Sequence, residues 1–187
     1  MDFSASQRAA TSALINCLES NRNGNQLLVA SEHRRTKAGS RAEMLWGDAA
    51  AAVAIGDDDV IAQCLGVATH AVDFIDHYRG DGADFDYDWE ERWIRDEGFM
   101  KIVPTVVESV LDDAGVAAAD IKHFILPTDQ ARTPAALAKR LGINAEAIVD
   151  NQIASVGVAG AAQPLLLLAK ALESATAGDT ILLLGFG

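Results

Sequence analysis

Nucleophilic, acid–base and metal chemistry in a protein falls mostly to cysteine and histidine, and this sequence has two cysteines and four histidines. Neither set is spaced for chemistry. Cys17 falls on the apolar face of an expected helix and Cys64 within an expected strand, settings in which a cysteine is a small buried hydrophobe, not an activated thiolate. His33, His70, His77 and His123 form no i, i+4 pair and no Cys/His cluster, so no metal is expected. The remaining polar candidates are Thr128, Asp129 and Gln130 on one turn, Ser155 beside a glycine loop, and Gln163 in a helix. Asp, Ser and Thr favour turns and caps for backbone reasons alone, so each reads first as a structural residue. Gly157-Val158-Ala159-Gly160 lacks the first glycine of a dinucleotide fingerprint and reads as a tight turn into a helix. The one basic cluster is His33-Arg34-Arg35-Thr36-Lys37. Its Arg34, Arg35 and Lys37 could hold phosphates, with simple surface solvation as the alternative.

The elements that position these residues follow from hydrophobic period. Ala10, Ala13, Leu14, Cys17 and Leu18 have the i, i+3, i+4, i+7, i+8 spacing of one helix face, which predicts a helix over 8–20. The polar run Ser20-Asn21-Arg22-Asn23-Gly24 stops it, with Gly24 suited to a left-handed cap. Apolar runs at 26–31 and 49–55 predict buried strands, with a polar loop over 32–43 between them. Asp57-Asp58-Asp59 marks a turn, after which Val60 to Ala68 reads as a strand opening a new unit. The chain therefore divides into residues 1–57 and 58–187.

Residues 70–98 are acidic and aromatic without a clean period, and are expected to be a solvated loop or short helices packed by Phe85, Tyr87, Trp89 and Trp93. From Phe99 the helical period returns and closes on Gly115. A strand at 123–126 follows. Next come a helix at 134–141, with Thr133 as N-cap, Pro134 near its start and Gly142 at its end, and a short strand at 147–149. A long helix at 158–174 and a strand at 180–184 close the pattern. Alternating strands and helices predict an α/β layered fold. Helix, glycine and apolar strand recur at Gly24 and Gly178, a hint of internal duplication.

Composition bounds the function. The chain has 187 residues, with 15 basic against 27 acidic side chains and a net charge of −12, long enough for a real core and too acidic to track a nucleic-acid backbone. Its wholly apolar stretches, such as Leu165 to Ala169, are too short to span a bilayer. Met1-Asp2-Phe3-Ser4 opens with no basic or apolar leader, and two distant cysteines make no disulfide framework, so a reducing cytoplasm is the expected setting.

Several segments, in this order, resemble the thiolase superfamily, in the branch of hydroxymethylglutaryl-CoA synthase and β-ketoacyl-ACP synthase III. Gln7-Arg8-Ala9-Ala10-Thr11 is similar to the family's Cys-Lys-Ala-Gly-Thr nucleophile turn, followed by its helix and by a strand ending in an acidic residue, here Leu27 to Glu32. Gly39-Ser40-Arg41-Ala42-Glu43 and Trp46-Gly47-Asp48-Ala49-Ala50-Ala51-Ala52 resemble its loop and its Gly-Asp-Gly-Ala-type segment. Val72-Asp73-Phe74 and the helix from Phe99 resemble the synthase insertion, and Ala138-Lys139-Arg140-Leu141-Gly142 its Ala-Lys-Lys-Leu-Gly helix end. Ala177 to Gly187 resembles its Pro-Gly-Asp and terminal strand-glycine segment. The resemblance implies α-β-α-β-α layers, of which this chain carries part of the first half and most of the second, with the insertion at about 70–98.

The family's chemistry is a Claisen-type condensation in which a cysteine at a helix N-terminus takes the acyl group while a histidine and an asparagine manage the proton and the thioester oxygen. The cysteine position corresponds here to Gln7, or to Ser4 in an ungapped match. The histidine position corresponds to Pro127 or Thr128, and the asparagine to Val158. None retains the family residue. Gln7 cannot form a thioester, proline moves no proton, and valine donates no hydrogen bond. The resemblance thus implies a non-catalytic or structural subunit associated with acyl-CoA condensation; the alternative is an acyltransferase that condenses or decarboxylates acyl thioesters by an altered mechanism. No cofactor is required, and a coenzyme A thioester is a possible ligand, with Arg34, Arg35 and Lys37 facing its phosphates. A homodimer, or a hetero-oligomer with a catalytic thiolase-like chain or another acyl-CoA-handling partner, is expected. The chain starts almost on the nucleophile turn and stops before the family's closing strand, which would leave sheet edges for another chain to cover.

Overall fold

The computed structural model describes residues 1–4, 6–20 and 24–187. Side-chain alternation decides what each sheet packs against. β1 (Gln26–Glu32) and β2 (Ala49–Ile55) pair antiparallel, with Leu28 opposite Val53 and Ala30 opposite Ala51. Those residues share one face. They bury it against Ala10, Ala13 and Leu14 of α1 (Ala9–Glu19) and Leu165 of α6 (Gln163–Ser174). Both strands and α1 stand where hydrophobic period places them.

β5 (Ile121–Ile125) and β6 (Thr180–Leu183) form a parallel pair. Between them these strands also alternate. Ile125, Ile181 and Leu183 meet Leu167 and Ala171 of α6, whereas Phe124 and Leu182 meet Phe99, Val103, Val107 and Leu137 on the opposite side. That opposite side is roofed by α4 (Met100–Ala114) and α5 (Thr133–Leu141). α6 therefore lies between the sheets, giving Leu165 to the first and Leu167 and Ala171 to the second. Gly115 and Gly142 end α4 and α5 in the left-handed region, at φ 64° and 75°. The N–H groups of Val116 and Ile143 reach back to Leu111 and Ala138, so orphan carbonyls at both helix ends are satisfied.

Several local expectations are corrected. Val60 to Ala68 is not a strand. It joins no ladder, and Ile61 and Leu65 are exposed. A β-pattern without a partner strand leaves its backbone to water. Cys64 is accordingly exposed, its Sγ 3.6 Å from the Gly66 carbonyl, and not a buried strand residue. The strand expected at 147–149 is a 3₁₀ turn, Ala145–Ala147, followed by one isolated bridge from Ile148 to Phe124. Thr133 lies inside α5, after Arg132 as the capping residue. α6 begins at Gln163, after a 3₁₀ turn over Gly160–Ala162. The expected loop 32–43 gives way at Arg41 to α2 (Arg41–Leu45), whose Ser40 Oγ accepts the Glu43 N–H at 3.2 Å. Of the stop expected after α1, Asn21 to Asn23 lie outside the described residues.

Residues 70–98 fold more than a solvated loop would. β3 (His77–Tyr78) and β4 (Tyr87–Asp88) pair antiparallel. α3 (Glu91–Trp93), capped by the Glu90 carboxylate, leads through a π-helical turn, Ile94–Phe99, into α4. Phe74 stacks on Trp93 at 4.5 Å between ring centroids, and Phe99 on Phe186 at 4.3 Å. Gly98 permits this closeness, because a Cβ there would lie 2.8–3.0 Å from ring atoms of Phe186 and Phe74.

Candidate functional site

Three turns carry the positions singled out by sequence. The first precedes α1. Ser4 is exposed and Gln7 half-buried. Ser6 Oγ accepts the Arg8 N–H at 3.2 Å and donates to the Gly187 carbonyl at 3.3 Å, so this turn is held against the C-terminal glycines. Thr11, one turn into α1, presses its buried and unpaired Oγ1 toward Gly185, where a Cβ would come within 2.5 Å of it.

The second turn follows β5. Pro127, Thr128 and Asp129 are half-buried and Gln130 is buried. Thr128 donates its N–H to Asn151 Oδ1 at 3.1 Å, and its hydroxyl accepts the Gln130 N–H at 3.1 Å. Gln130 is spent entirely on structure. Its Nε2 donates to the Glu91 carbonyl at 3.2 Å and its Oε1 accepts the Thr133 hydroxyl at 2.8 Å. Asp129 pairs with Arg41.

The third turn leads into α6. Val158 donates its N–H to the Leu45 carbonyl at 2.7 Å, and its own carbonyl accepts from the Gly47 N–H at 3.2 Å. Gly157 has φ 88°, and a Cβ there would lie 2.7 Å from the Leu45 carbonyl oxygen, so only glycine fits. Ser155 bonds back to the Gln152 carbonyl at 3.3 Å.

Two of the three turns are tied together. Gln163, 2% exposed, accepts the Ala159 N–H on Oε1 at 2.6 Å and donates from Nε2 to the Asn151 carbonyl at 2.7 Å. Asn151 in turn holds Thr128 and, through Nδ2, the Leu126 carbonyl at 3.0 Å. One polar relay thus fastens the Pro127/Thr128 position to the Val158 position. Every member of that relay is a carboxamide, a hydroxyl or a peptide group, and none is a base at neutral pH.

Sequence reasoning missed the charged cluster beside the third turn. Arg34 and Asp86 are each 7% exposed in their side chains and stand 3.9 Å apart. The Arg34 guanidinium lies over the Trp46 ring, 3.6 Å from its centre, and donates to the Val158 carbonyl at 3.4 Å. Asp86 also accepts from Arg79 Nε at 2.6 Å. Burial pulls the Arg34 guanidinium below its ordinary range, against the raising influence of Glu32, Asp86 and Asp88. Burial likewise raises the Asp88 carboxyl. Arg34 therefore points inward, while Arg35 and Lys37 stay on the surface. Asp86, 52 residues away in the acidic stretch, carries no local mark of its partner.

Three of the four histidines pair with carboxylates elsewhere. His33 Nδ1 lies 2.7 Å from Asp48 and His77 Nδ1 2.7 Å from Asp76, and the Asp76 hydrogen bond raises the His77 pKa. His123 Nε2 lies 3.4 Å from Asp179, whose carboxyl is lowered chiefly by the Thr176 N–H. Among the described residues no group of three His, Cys, Asp or Glu could hold a metal ion, and no helix is long and apolar enough to cross a membrane. Among the described residues Cys17 and Cys64 are free cysteines, and neither thiol is hydrogen-bonded to a histidine.

Known proteins share this framework. Residues 111–187, which carry β5, α5, both linked turns, α6 and β6, match the family model described as 3-oxoacyl-[acyl-carrier-protein] synthase III C terminal. The whole chain is 24% identical to a hydroxymethylglutaryl-CoA synthase of Caldivirga maquilingensis and spans 54% of that protein's length. The crystal structure of 3-oxoacyl-[acyl-carrier-protein] synthase III from Aquifex aeolicus superimposes with a TM-score of 0.75 at 21% identity, covering 96% of this chain and 60% of that one. A crystal structure of HMG-CoA synthase complexed with CoA gives a TM-score of 0.67 at 19% identity, covering 96% of this chain and 50% of that one. The chain thus spans about half the length of the relatives it matches.

Proposed function

We propose, from the premise that this chain belongs to the thiolase superfamily as a homologue of hydroxymethylglutaryl-CoA synthase and β-ketoacyl-ACP synthase III, that it is a non-catalytic or structural subunit associated with acyl-CoA condensation. One observation carries this reading. The positions that the family resemblance assigns to the nucleophile, the proton carrier and the oxyanion donor hold Gln7 or Ser4, Pro127 or Thr128, and Val158.

Each substitution removes a distinct chemical step. Without a thiolate no acyl-enzyme forms at the α1 turn, because a serine there needs a base and a carboxamide is not a nucleophile. Without an imidazole at 127 or 128 the attacking carbon keeps its proton. At 158 the side chain is apolar and both main-chain groups are already used on Leu45 and Gly47, so the turn offers no free donor from that residue to a developing oxyanion.

Binding is what remains. The HMG-CoA synthase neighbour is complexed with CoA, and a coenzyme A thioester is the ligand class this reading assigns to the chain, with exposed Arg35 and Lys37 available to phosphate and Arg34 already engaged by Trp46 and Asp86. The partner is a catalytic thiolase-like chain or another acyl-CoA-handling protein. The test is an assay of acetyl-CoA condensation with acetoacetyl-CoA, and with malonyl-ACP, by the purified chain and by the complex isolated from its native cells. Turnover is expected only from the complex; turnover by the chain alone overturns the reading.

A further inference from the structure

Of the basic residues in 33–37 only Arg34 buries its side chain, while His33, Arg35 and Lys37 stay exposed. Its guanidinium lies face-on to Trp46, 3.6 Å from the ring centre, which leaves the N–H edge to make bonds. Among the described residues that edge donates one hydrogen bond, to the Val158 carbonyl at 3.4 Å. The Asp86 carboxylate stands 3.9 Å away, beyond hydrogen-bond reach, and gives its short contact of 2.6 Å to Arg79 Nε instead. A guanidinium that holds a carboxylate or phosphate fully makes two parallel bonds of about 2.8 Å. Arg34 thus keeps an unused donor edge in a buried position.

The group facing that edge sits on an element that opens easily. β3 and β4 pair His77 with Asp88 and Tyr78 with Tyr87, and Arg79 and Asp86 occupy the next rung. Tyr78 and Tyr87 touch each other at 5.4 Å between centroids and are about half exposed. So short a hairpin, with so little apolar burial, lifts at low cost. Its base is fixed, because Trp89 donates its N–H to the Asp76 carbonyl at 2.9 Å and Gln130 holds the Glu91 carbonyl. Lifting the hairpin removes Asp86, Asp88 and Arg79 together. Trp46, the Val158 carbonyl and Glu32 then remain around Arg34, and the Glu32 carboxylate is committed to the Ala161 N–H at 3.1 Å.

We infer that Asp86 is an internal stand-in for a phosphate: the β3/β4 hairpin masks an anion site built on Arg34 and Trp46, and a phosphate ligand competes with Asp86 for the guanidinium. Arg35 and Lys37 add charge at the rim of the uncovered site. A coenzyme A thioester as the source of that phosphate rests on the proposed function; the mask does not.

Isothermal titration of the full chain with inorganic pyrophosphate, and separately with acetyl-CoA, tests the mask in the wild type and in Asp86→Asn. Asp84→Asn is the control, since it removes an exposed charge from the same hairpin. An internal competitor lowers apparent affinity by the fraction of molecules in which the site is free, so Asp86→Asn should bind pyrophosphate about tenfold more tightly than wild type. Asp84→Asn should stay within about twofold, because a surface charge is screened by salt. Adding Arg34→Leu to Asp86→Asn should cancel the gain. The unaltered chain supplies a second measurement: pyrophosphate should accelerate hydrogen exchange at the β3 and β4 amides. Absence of tightening in Asp86→Asn, equal tightening in Asp84→Asn, a gain that survives Arg34→Leu, or hairpin exchange that is unchanged or slowed each overturns the inference. Tighter pyrophosphate binding by Asp86→Asn without binding of acetyl-CoA supports the mask and overturns the coenzyme A assignment. Acetyl-CoA bound equally by wild type and Asp86→Asn supports that assignment and overturns the mask, so the two failures are distinguishable.

Discussion

The Arg34 guanidinium lies 3.6 Å from the centre of the Trp46 ring and joins the loop after β1 to the Val158 turn. A desolvated cation on an indole face contributes about 2 kcal/mol. Removing one partner of a buried ion pair costs about 3–5 kcal/mol, because the other charge is stranded. At 3.9 Å the Arg34–Asp86 contact is long, and Arg79 still neutralises Asp86. Arg34→Leu is therefore expected to destabilise by about 2–3 kcal/mol, below the sum of those two terms. Urea unfolding followed by tryptophan fluorescence measures it, and a loss under half a kcal/mol would contradict the cluster's role.

The relay through Gln163 gives a second expectation. Gln163→Leu keeps the volume and leaves the Ala159 N–H and the Asn151 carbonyl without their partner. A buried group left unpaired costs about 1–3 kcal/mol. Hydrogen exchange should accelerate at Ala159 and at Thr128, the far end of the relay, and should not change in β1 or β2.

Close approach makes Gly98 a third test. Gly98→Ala drives a methyl into the rings of Phe74 and Phe186, and overpacking of this kind costs about 1–3 kcal/mol. The cost should fall by at least half in the Gly98→Ala, Phe74→Leu double variant, read from the shift in denaturation midpoint.

The His77 side chain supplies a pH dependence. Asp76 favours the protonated ring, and its pKa lies above the ordinary 6.5. A raised folded-state value means that this contribution to stability is fully present below pH 6.5 and is lost as pH rises through the folded-state pKa. An NMR titration of the His77 ring should give a value above 6.5, falling in Asp76→Asn. A wild-type value below 6.5 would contradict the pairing.

Much of the framework is legible in the residues themselves, because period and glycine act locally. The alternation of β1 and β2, the face of α1 and the caps at Gly115 and Gly142 all express geometry within one segment. Ser40 marks the start of α2 in sequence as an N-cap, since its Oγ accepts the Glu43 N–H, and the Glu43 carboxylate reaches back to the Gly39 N–H at 2.5 Å. Val60 to Ala68 has the local pattern of a strand and fails for a non-local reason, the want of a pairing edge. The candidate site is split the same way. Thr128, Gln130, Ser155 and Gln163 hold their turns, as their residue types suggest, whereas Asp129 with Arg41 and Arg34 with Asp86 meet only in three dimensions. Leu27 and Val29 read as buried in the sequence and stand exposed in the structure, because burial of a strand face depends on elements that the local pattern does not name.

Acyl transfer to the chain is the most direct measure of whether it has lost the condensing centre. The purified chain is incubated with isotopically labelled acetyl-CoA, digested and mapped by mass spectrometry. If Gln7 or Ser4, Pro127 or Thr128, and Val158 occupy the three family positions, as proposed, the chain should carry no label on residues 4–11, and Gln7→Cys alone should not restore turnover, because no imidazole stands at 127 or 128. A labelled Ser4 or Ser6 in the wild-type chain, formed at a rate that saturates with acetyl-CoA, would contradict the account.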